Sequence, residues 1–569
     1  MHMNTAPLRL SMGYDDLGAI IENEFSIVDK SLLIRDIIEE KAQVVLITRP
    51  RRFGKTLGLS WLRYFFAREV IGRPTHGMFD CFKVSQYLEI MKHQGKYPVI
   101  SITFKDLKDK DYTGALASFA QSMSTLYDEH RLLLASDTLH ADEKKGFDAI
   151  LNQEAHETAL KAALFNLTKY LYRHFGVRPI VLIDEYDTPI QAAYLYGYYE
   201  PMILFMRNFL GSALKNNPYL HKAVLTGILR VAKESLFSGL NNLEVYSLLK
   251  QKYAPYFGFT EEEVVDLFQR AGLSEHMGEV HHWYDGYRMG GIHIYNPWSI
   301  VHCINENAHF EPYWVHTSDN DLIKQLLGQA PSEIKISLEA LVRGDAIVAC
   351  IDEHMVFPNL ERNPEGVWSL LLMSGYLTSH QTQQQGTRFE CLLKCPNQEV
   401  AFLYQDIIRA WFSDPFGYNP YEALLQCFVT GNVGELKLRL SQYLLETMSF
   451  FDTTDKEPER FYHGLVLGLL VGLEKTHEVT SNRESGLGRY DVMLIPKDKK
   501  AYPLGVIIEF KTSQTHAALK KEAQSALKQI EEKQYTAQLR KAGVRSFLNL
   551  GIAFHKKSLE VASHQDSGS

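Results

Sequence analysis

Arg49-Pro50-Arg51-Arg52-Phe53-Gly54-Lys55-Thr56 stands between an apolar run, Val44-Val45-Leu46-Ile47, and a segment in which Leu57, Trp61, Leu62 and Phe65 recur at helical spacing. A buried strand, a loop ending in Gly-Lys-Thr, then a helix is the context of a phosphate-binding loop. Backbone N–H groups of such a loop and of the helix N-terminus point at phosphate oxygens. Lys55 would reach the outer phosphates and the Thr56 hydroxyl would hold Mg²⁺. The pattern G-x-x-x-x-G-K-T expects glycine at position 49, where this chain has Arg49. On the tripeptide alone, a chance match at a helix start explains the sequence equally well.

A second stretch turns the balance. Ile180-Val181-Leu182-Ile183-Asp184-Glu185 is an apolar strand ending in two carboxylates. Asp184 would hold Mg²⁺ through water and Glu185 would polarise an attacking water. A further strand, Lys222 to Gly227, offers Thr226 to the terminal phosphate, with Arg230 behind it. Arg51, Arg52, Phe53 and Gly54 complete the expected nucleotide-contacting set, together with Arg49. Arg207 and Arg230 are candidates for an arginine finger, and a neighbouring subunit is an equal source. Strands alternating with helices predict a doubly wound parallel sheet with its ligand at the strand C-terminal edge.

The 569 residues suit about three to four domains. Hydrophobic content of 45% and charged content of 22% are those of an ordinary globular chain. A formal charge of −8 excludes bulk polyanion binding but not local basic patches. The six cysteines are scattered without a Cys-x-x-Cys pair, which points to a reducing compartment and no zinc module. No signal-peptide pattern opens the chain, and its longest apolar run, Leu465 to Leu473, is far short of a membrane span. The reading is a cytoplasmic protein with no membrane partner; a homo-oligomer stays open.

From 257 the pattern changes. Thr260-Glu261-Glu262-Glu263 has the form of a capping box, and Trp283 to Tyr287 and Tyr295 to Ser299 are aromatic and turn-rich. A small helical lid whose aromatics pack against turns accounts for them; base stacking is the competing reading. Residues 365–400 read as a small winged or β-capped module.

Near the C-terminus, Arg489 to Ile495 alternates like a strand and Gly505 to Lys511 reads as a buried one. Glu509 and Lys511, two apart, share a face. Asp491 and Glu509 on adjacent strands could hold Mg²⁺ or Mn²⁺, with Lys511 orienting the attacking water. That is metal-assisted phosphodiester hydrolysis. Gln529, on the following helix, faces the same site in this reading. Salt-bridged strand ends would look similar. Lys497 to Glu560 holds 13 Lys and Arg against 6 Asp and Glu, an excess of seven positive charges suited to DNA or RNA backbone.

With these residues in hand, the chain resembles the large bacterial family of AAA-ATPase-like proteins fused to a PD-(D/E)XK nuclease domain. Thr48 to Thr56, Leu182 to Asp187, Thr226-Gly227-Ile228, Leu240-Asn241-Asn242, Trp283 to Tyr287 and Tyr295 to Ser299 carry it. So do Pro396 to Val400, Gly486 to Asp491 and Ile508 to Lys511. The family pattern tolerates arginine at position 49. The resemblance implies an ATPase core, a lid and a restriction-endonuclease-like domain, with Glu459 as the helical glutamate that often joins the nuclease site.

The expected architecture is therefore α/β: a P-loop NTPase doubly wound parallel sheet at 1–256, a helical lid at 257–345, and a small α+β middle module and connection at 346–455. A restriction-endonuclease-like α/β domain follows at 456–560, then a disordered tail at 561–569. The expected function is ATP binding and hydrolysis gating a metal-dependent nuclease. The alternative is a nucleotide-switched nucleic-acid-binding or signalling protein whose nuclease-like domain does not cleave.

Overall fold

Val44–Thr48 forms the strand β1, with all five residues buried, and the loop after it leads directly into the helix α1, Lys55–Phe66. These positions come from a computed structural model. It describes residues 8–230, 241–315, 321–353, 364–413, 418–447 and 475–567, with 462, 466 and 469–473, apart from 329, 331, 343, 387, 482, 483, 486 and 487. The chain divides into two units: Met1–Leu326 with Ala346–Val400, and Leu327–Asp345 with Ala401–Ser569.

The first unit is built on five parallel strands. Besides β1 they are β2 (Val99–Thr103), β3 (Ile180–Asp184), β4 (Lys222–Gly227) and β5 (Leu243–Tyr246), in the order β2-β3-β4-β1-β5. Helices connect them, including Tyr112–Asp128, Glu157–Phe175 and Tyr199–Leu214. This is the expected doubly wound α/β sheet. The chain leaves β1 for the far edge, returns through β3 and β4, and then adds β5 on the other side of β1. The reversal beside β1 opens a crevice at the strand C-terminal ends. β4 lies between β1 and β3, so Thr226 stands between the phosphate-loop strand and the Asp184 strand.

The expected lid is less helical than its sequence suggests. Phe259–Thr260, Tyr287–Met289 (β6) and Ile292–Tyr295 (β7) make a three-stranded antiparallel sheet beside the helices Glu261–Ala271, Met277–Tyr284 and Pro297–Asn305. Gly290 and Gly291, both at positive φ, turn β6 into β7 in two residues, the loop that matches strand twist. The capping box is present: the Thr260 hydroxyl accepts from the Glu263 N–H, and the Glu263 carboxylate accepts from the Thr260 N–H at 2.8 Å. Glu263 also pairs with Lys30 at 2.6 Å, tying the lid helix to the N-terminal segment. Tyr284, Tyr287 and Tyr295 are buried, which answers the stacking alternative for these three in favour of packing. A third antiparallel sheet joins Ile347–Ile351, Thr378–Gln385 and Arg388–Lys394.

The second unit carries a mixed five-stranded sheet. Its strands are β8 (His477–Ser481), β9 (Val492–Pro496), β10 (Leu504–Thr512), β11 (Ser546–His555) and β12 (Ser558–Ser567), in that order. Only β10 and β11 run parallel, joined across the helix Leu519–Glu532. That helix lies against β11 at Gly551, where an added Cβ would meet the Ala523 carbonyl oxygen at 2.3 Å. The C-terminal α/β domain is thus the nuclease-type sheet expected from the sequence.

Two expected boundaries are corrected. The middle module does not run from 346 to 455 as one piece, because 346–400 groups with the first unit and 401–455 with the second. The expected disordered tail at 561–569 is strand as far as it is described: β12 extends to Ser567 and pairs with β11 from Ser546↔Ser567 to His555↔Ser558. Its side chains are mostly polar, since an edge strand needs backbone partners more than apolar faces.

Candidate functional site

The phosphate loop closes on itself in this structure. Gly54 has φ +79°, which an L side chain rarely adopts, and Arg52 adopts φ +66°. The Lys55 ammonium donates to the carbonyls of Arg49 and Pro50 at 3.2 and 3.1 Å and pairs with Glu185 at 3.2 Å. Glu185 itself sits at φ +52°, so left-handed backbone occurs on both sides of the crevice, as at many functional sites.

Asp184 is the hub. Its carboxylate accepts from the Thr56 hydroxyl at 2.6 Å and from the Thr226 hydroxyl at 2.5 Å. Burial raises its pKa and the Glu185 charge adds to this, while Thr226, Thr56 and Lys55 pull it back. A cavity of about 490 Å³ opens over this constellation, lined among others by Gly54, Lys55, Thr56, Asp184, Glu185 and Trp298. That volume falls in the range of small-molecule sites.

In the second unit, β9 and β10 pair so that Val492 faces Ile508, which brings Asp491 beside Glu509. Asp491 accepts from the Phe510 N–H at 2.8 Å, and the Asp491 N–H donates to Glu509 at 3.4 Å. Glu509 is buried and also accepts from the Gln529 amide. Burial raises the Asp491 pKa, against the pull of the Phe510 N–H and the Lys511 charge. Lys511 follows Glu509 by two residues on β10 and so shares its face of the sheet. Among the described residues, no group of three or more His, Cys, Asp or Glu side chains is arranged to hold a metal ion. The donor set here is two carboxylates.

Comparison with known proteins follows the same division. Residues 11–237 match the AAA-ATPase-like family, described as predicted AAA-ATPase, and residues 457–564 match the PD-(D/E)XK nuclease superfamily. The chain joins an AAA-ATPase-like domain to a PD-(D/E)XK nuclease-superfamily domain. It is 27% identical to a protein of Azotobacter chroococcum mcd 1 described as an uncharacterized protein in the vnfD 5′ region, over 97% of this chain and 98% of that one. Among solved structures, the Walker-type ATPase paby2304 of Pyrococcus abyssi aligns at 14% identity with a TM-score of 0.34, covering 70% of this chain and 99% of that chain.

Within the ATPase-like domain, the residues expected at the nucleotide fall into two groups. Arg51, Arg52, Gly54, Lys55, Thr56, Asp184 and Glu185 line the cavity, and Thr226 stands directly behind Asp184. Arg52 lies over the Trp298 ring at 4.3 Å. Arg49 turns away. Its side chain is fully buried, and its guanidinium donates to the carbonyls of Thr48 and Tyr246 at 2.7 and 3.0 Å and to Lys252 at 3.4 Å. Burial lowers its pKa to about 9. Its charge therefore holds the ends of β1 and β5 together, and only its backbone serves the loop. Phe53 is also core, edge-on to Tyr287 at 5.0 Å. Arg230 does not line the cavity; burial lowers its pKa, and the Glu353 charge partly offsets this.

The sequence reading missed Asp187. It is fully buried and accepts from the N–H groups of Ile228 and Leu229 at 3.0 and 2.9 Å and from Gln191 at 2.8 Å. Burial and the Glu185 charge raise its pKa to about 6. It locks the end of β4 to that of β3 and so fixes Thr226 over Asp184. Its signal was a third carboxylate in Asp184-Glu185-Tyr186-Asp187. In the nuclease-superfamily domain, Gln529 reaches Glu509 as expected, and Glu459 lies outside the described residues.

Proposed function

We propose that this chain binds and hydrolyses ATP, and that the nucleotide cycle gates a metal-dependent nuclease acting on nucleic-acid phosphodiesters. The observation that carries the reading is a pair of constellations: Lys55, Thr56, Asp184 and Glu185 in one unit, and in the other Asp491 beside Glu509, with Lys511 two residues further along the same strand. Lys55 would neutralise the outer phosphates. Thr56 and Asp184 would hold the Mg²⁺ that accompanies ATP, with Thr226 keeping Asp184 in place. Glu185 would take the proton of the attacking water.

In the nuclease-superfamily domain, Asp491 and Glu509 present hard oxygen donors that suit Mg²⁺ or Mn²⁺. Bound there, such a cation supplies Lewis acidity at the scissile phosphate. Lys511 orients the water or steadies charge on phosphate. The surplus of seven basic residues between Lys497 and Glu560 favours a nucleic-acid partner, DNA or RNA. Cytoplasmic work agrees with six free cysteines, and among the described residues no helix is long and apolar enough to cross a membrane.

One observation favours a second reading. Glu509 is already engaged by Gln529 and by the Asp491 N–H, and the described carboxylates number two. A nucleotide-switched nucleic-acid-binding protein without cleavage would have this arrangement. Both readings meet in one assay: cleavage and retention of DNA and RNA with Mg²⁺ or Mn²⁺, with and without ATP. ATP-dependent cleavage that disappears in Glu509→Ala supports the first; ATP-dependent binding with intact substrate supports the second.

A further inference from the structure

The loop that follows β2 is tethered to the catalytic strand. Thr103 pairs with Asp184 in the sheet register, and the Phe104 N–H donates to the Asp184 carbonyl at 3.0 Å. The Lys105 N–H is held by the Thr103 hydroxyl at 3.3 Å, and Leu107 is buried. The backbone is therefore fixed one residue from Asp184, while the three lysines of this loop, Lys105, Lys108 and Lys110, are exposed. Lys105 and Lys108 line the same cavity as Lys55, Asp184 and Glu185. Among the described residues, neither ammonium makes an ion pair or hydrogen bond. Lys30, by contrast, also lines the cavity but is matched by Glu263.

Six basic side chains line the cavity against three acidic ones, Asp15, Asp184 and Glu185. That surplus suits a ligand carrying several negative charges. Arg207 and Arg230, the arginines considered for a finger, are not among the lining residues. We propose that Lys105, supported by Lys108, contacts the terminal phosphate of bound ATP and acts as a cationic finger supplied by the same chain. This rests on the ATPase reading above. In the step it serves, the water oxygen bonds to the γ-phosphorus and its proton passes to Glu185. The bond to the β–γ bridging oxygen breaks, and its electron pair leaves on ADP. Negative charge grows on the oxygens that face Lys105, so a cation fixed there before reaction stabilises the transition state more than the ground state.

The test uses the full chain. Lys105→Ala should lower kcat for ATP hydrolysis by about ten-fold or more, as removal of one such electrostatic group does. It should leave ADP affinity close to wild type, because ADP lacks the γ-phosphate. Lys105→Arg should restore most of the rate, and Lys108→Ala should cost less than Lys105→Ala. If wild type hydrolyses ATP and the Lys105→Ala/Lys108→Ala double variant does so equally fast, the proposal is wrong while the ATPase reading stands. Equal losses of ADP and ATP affinity with unchanged kcat would also overturn it, by making these lysines general phosphate binders. If folded wild type neither binds nor hydrolyses ATP, and is indistinguishable from Lys55→Ala, the underlying reading falls and the proposal with it.

Discussion

The Lys55 ammonium and the Glu185 carboxylate form an ion pair at 3.2 Å. Each is the natural partner of something else: Lys55 of phosphate oxygen, Glu185 of a water proton. Phosphate entering the loop would compete for Lys55 and release Glu185. Lys55→Ala should abolish hydrolysis and weaken ATP binding, since the loop loses its cation. Glu185→Gln should bind ATP as well as wild type and stall turnover by about a hundred-fold or more, the usual order for loss of a proton acceptor. Parallel ATP-binding and single-turnover measurements separate the two, and wild-type turnover in Glu185→Gln would remove it from the chemistry.

Arg49 gives a contrary expectation to the loop pattern. Restoring the missing glycine as Arg49→Gly should not improve the ATPase. It should destabilise the domain by about 3 kcal/mol or more, because buried carbonyls of Thr48 and Tyr246 lose their donor and the guanidinium leaves a void. Urea unfolding read against nucleotide affinity tests this. A variant of wild-type stability with tighter ATP binding would contradict the structural role.

Asp491, Glu509 and Lys511 should separate by what each removes. Alanine at either carboxylate should remove Mn²⁺ binding, measured by calorimetry, together with any cleavage. Lys511→Ala should keep the cation and lose most of the rate. Basal ATPase should be nearly unchanged in all three, since the two constellations belong to separate units. A folded Glu509→Ala chain without ATPase would mean the two activities share a site.

Glu399 carries a pH dependence. Its carboxylate is buried and accepts from the Ser299 hydroxyl at 2.8 Å and the Trp314 N–H at 2.5 Å. Burial raises its pKa from 4.5 to about 7. Below pH 4.5 folded and unfolded chains are both protonated there. Between 4.5 and 7 the unfolded chain releases its proton while the native one keeps it, so this contribution to stability is lost as pH rises. The ceiling is about 3 kcal/mol. Thermal unfolding at pH 5 and pH 8 should show a smaller difference in Glu399→Gln than in wild type, and identical differences would exclude the effect.

What the sequence disclosed follows from how local each signal is. β1, β3 and β10 were legible because four or more consecutive apolar residues end in chemistry-bearing ones. Asp491 and Glu509 were legible as a pair once their strands were taken to be neighbours. Arg49 was not, because its direction is set by carbonyls at Tyr246 and Lys252, some two hundred residues downstream. The position of β4 between β1 and β3 comes from long-range pairing that no window of sequence contains. Asp187 was overlooked because its partners, the N–H groups of Ile228 and Leu229, carry no side-chain signature. β6 and β7 were hidden by strands only three and four residues long.

The ten-residue strand β12 has a consequence for handling the protein. Its inner neighbour β11 is buried from Phe547 to Phe554 and reads Phe-Leu-Asn-Leu-Gly-Ile-Ala-Phe. Stripped of β12, that strand would offer an apolar ribbon with a full row of free backbone donors and acceptors to any second copy. Such ribbons seed fibrils. β12 meets solvent instead with Ser563, His564 and Gln565, and is clipped down by Arg540 to Asp566 and Glu531 to His564. Its polar face makes it a gatekeeper: a recombinant chain stopped at Lys557 would be expected to precipitate even though neither constellation has lost a residue.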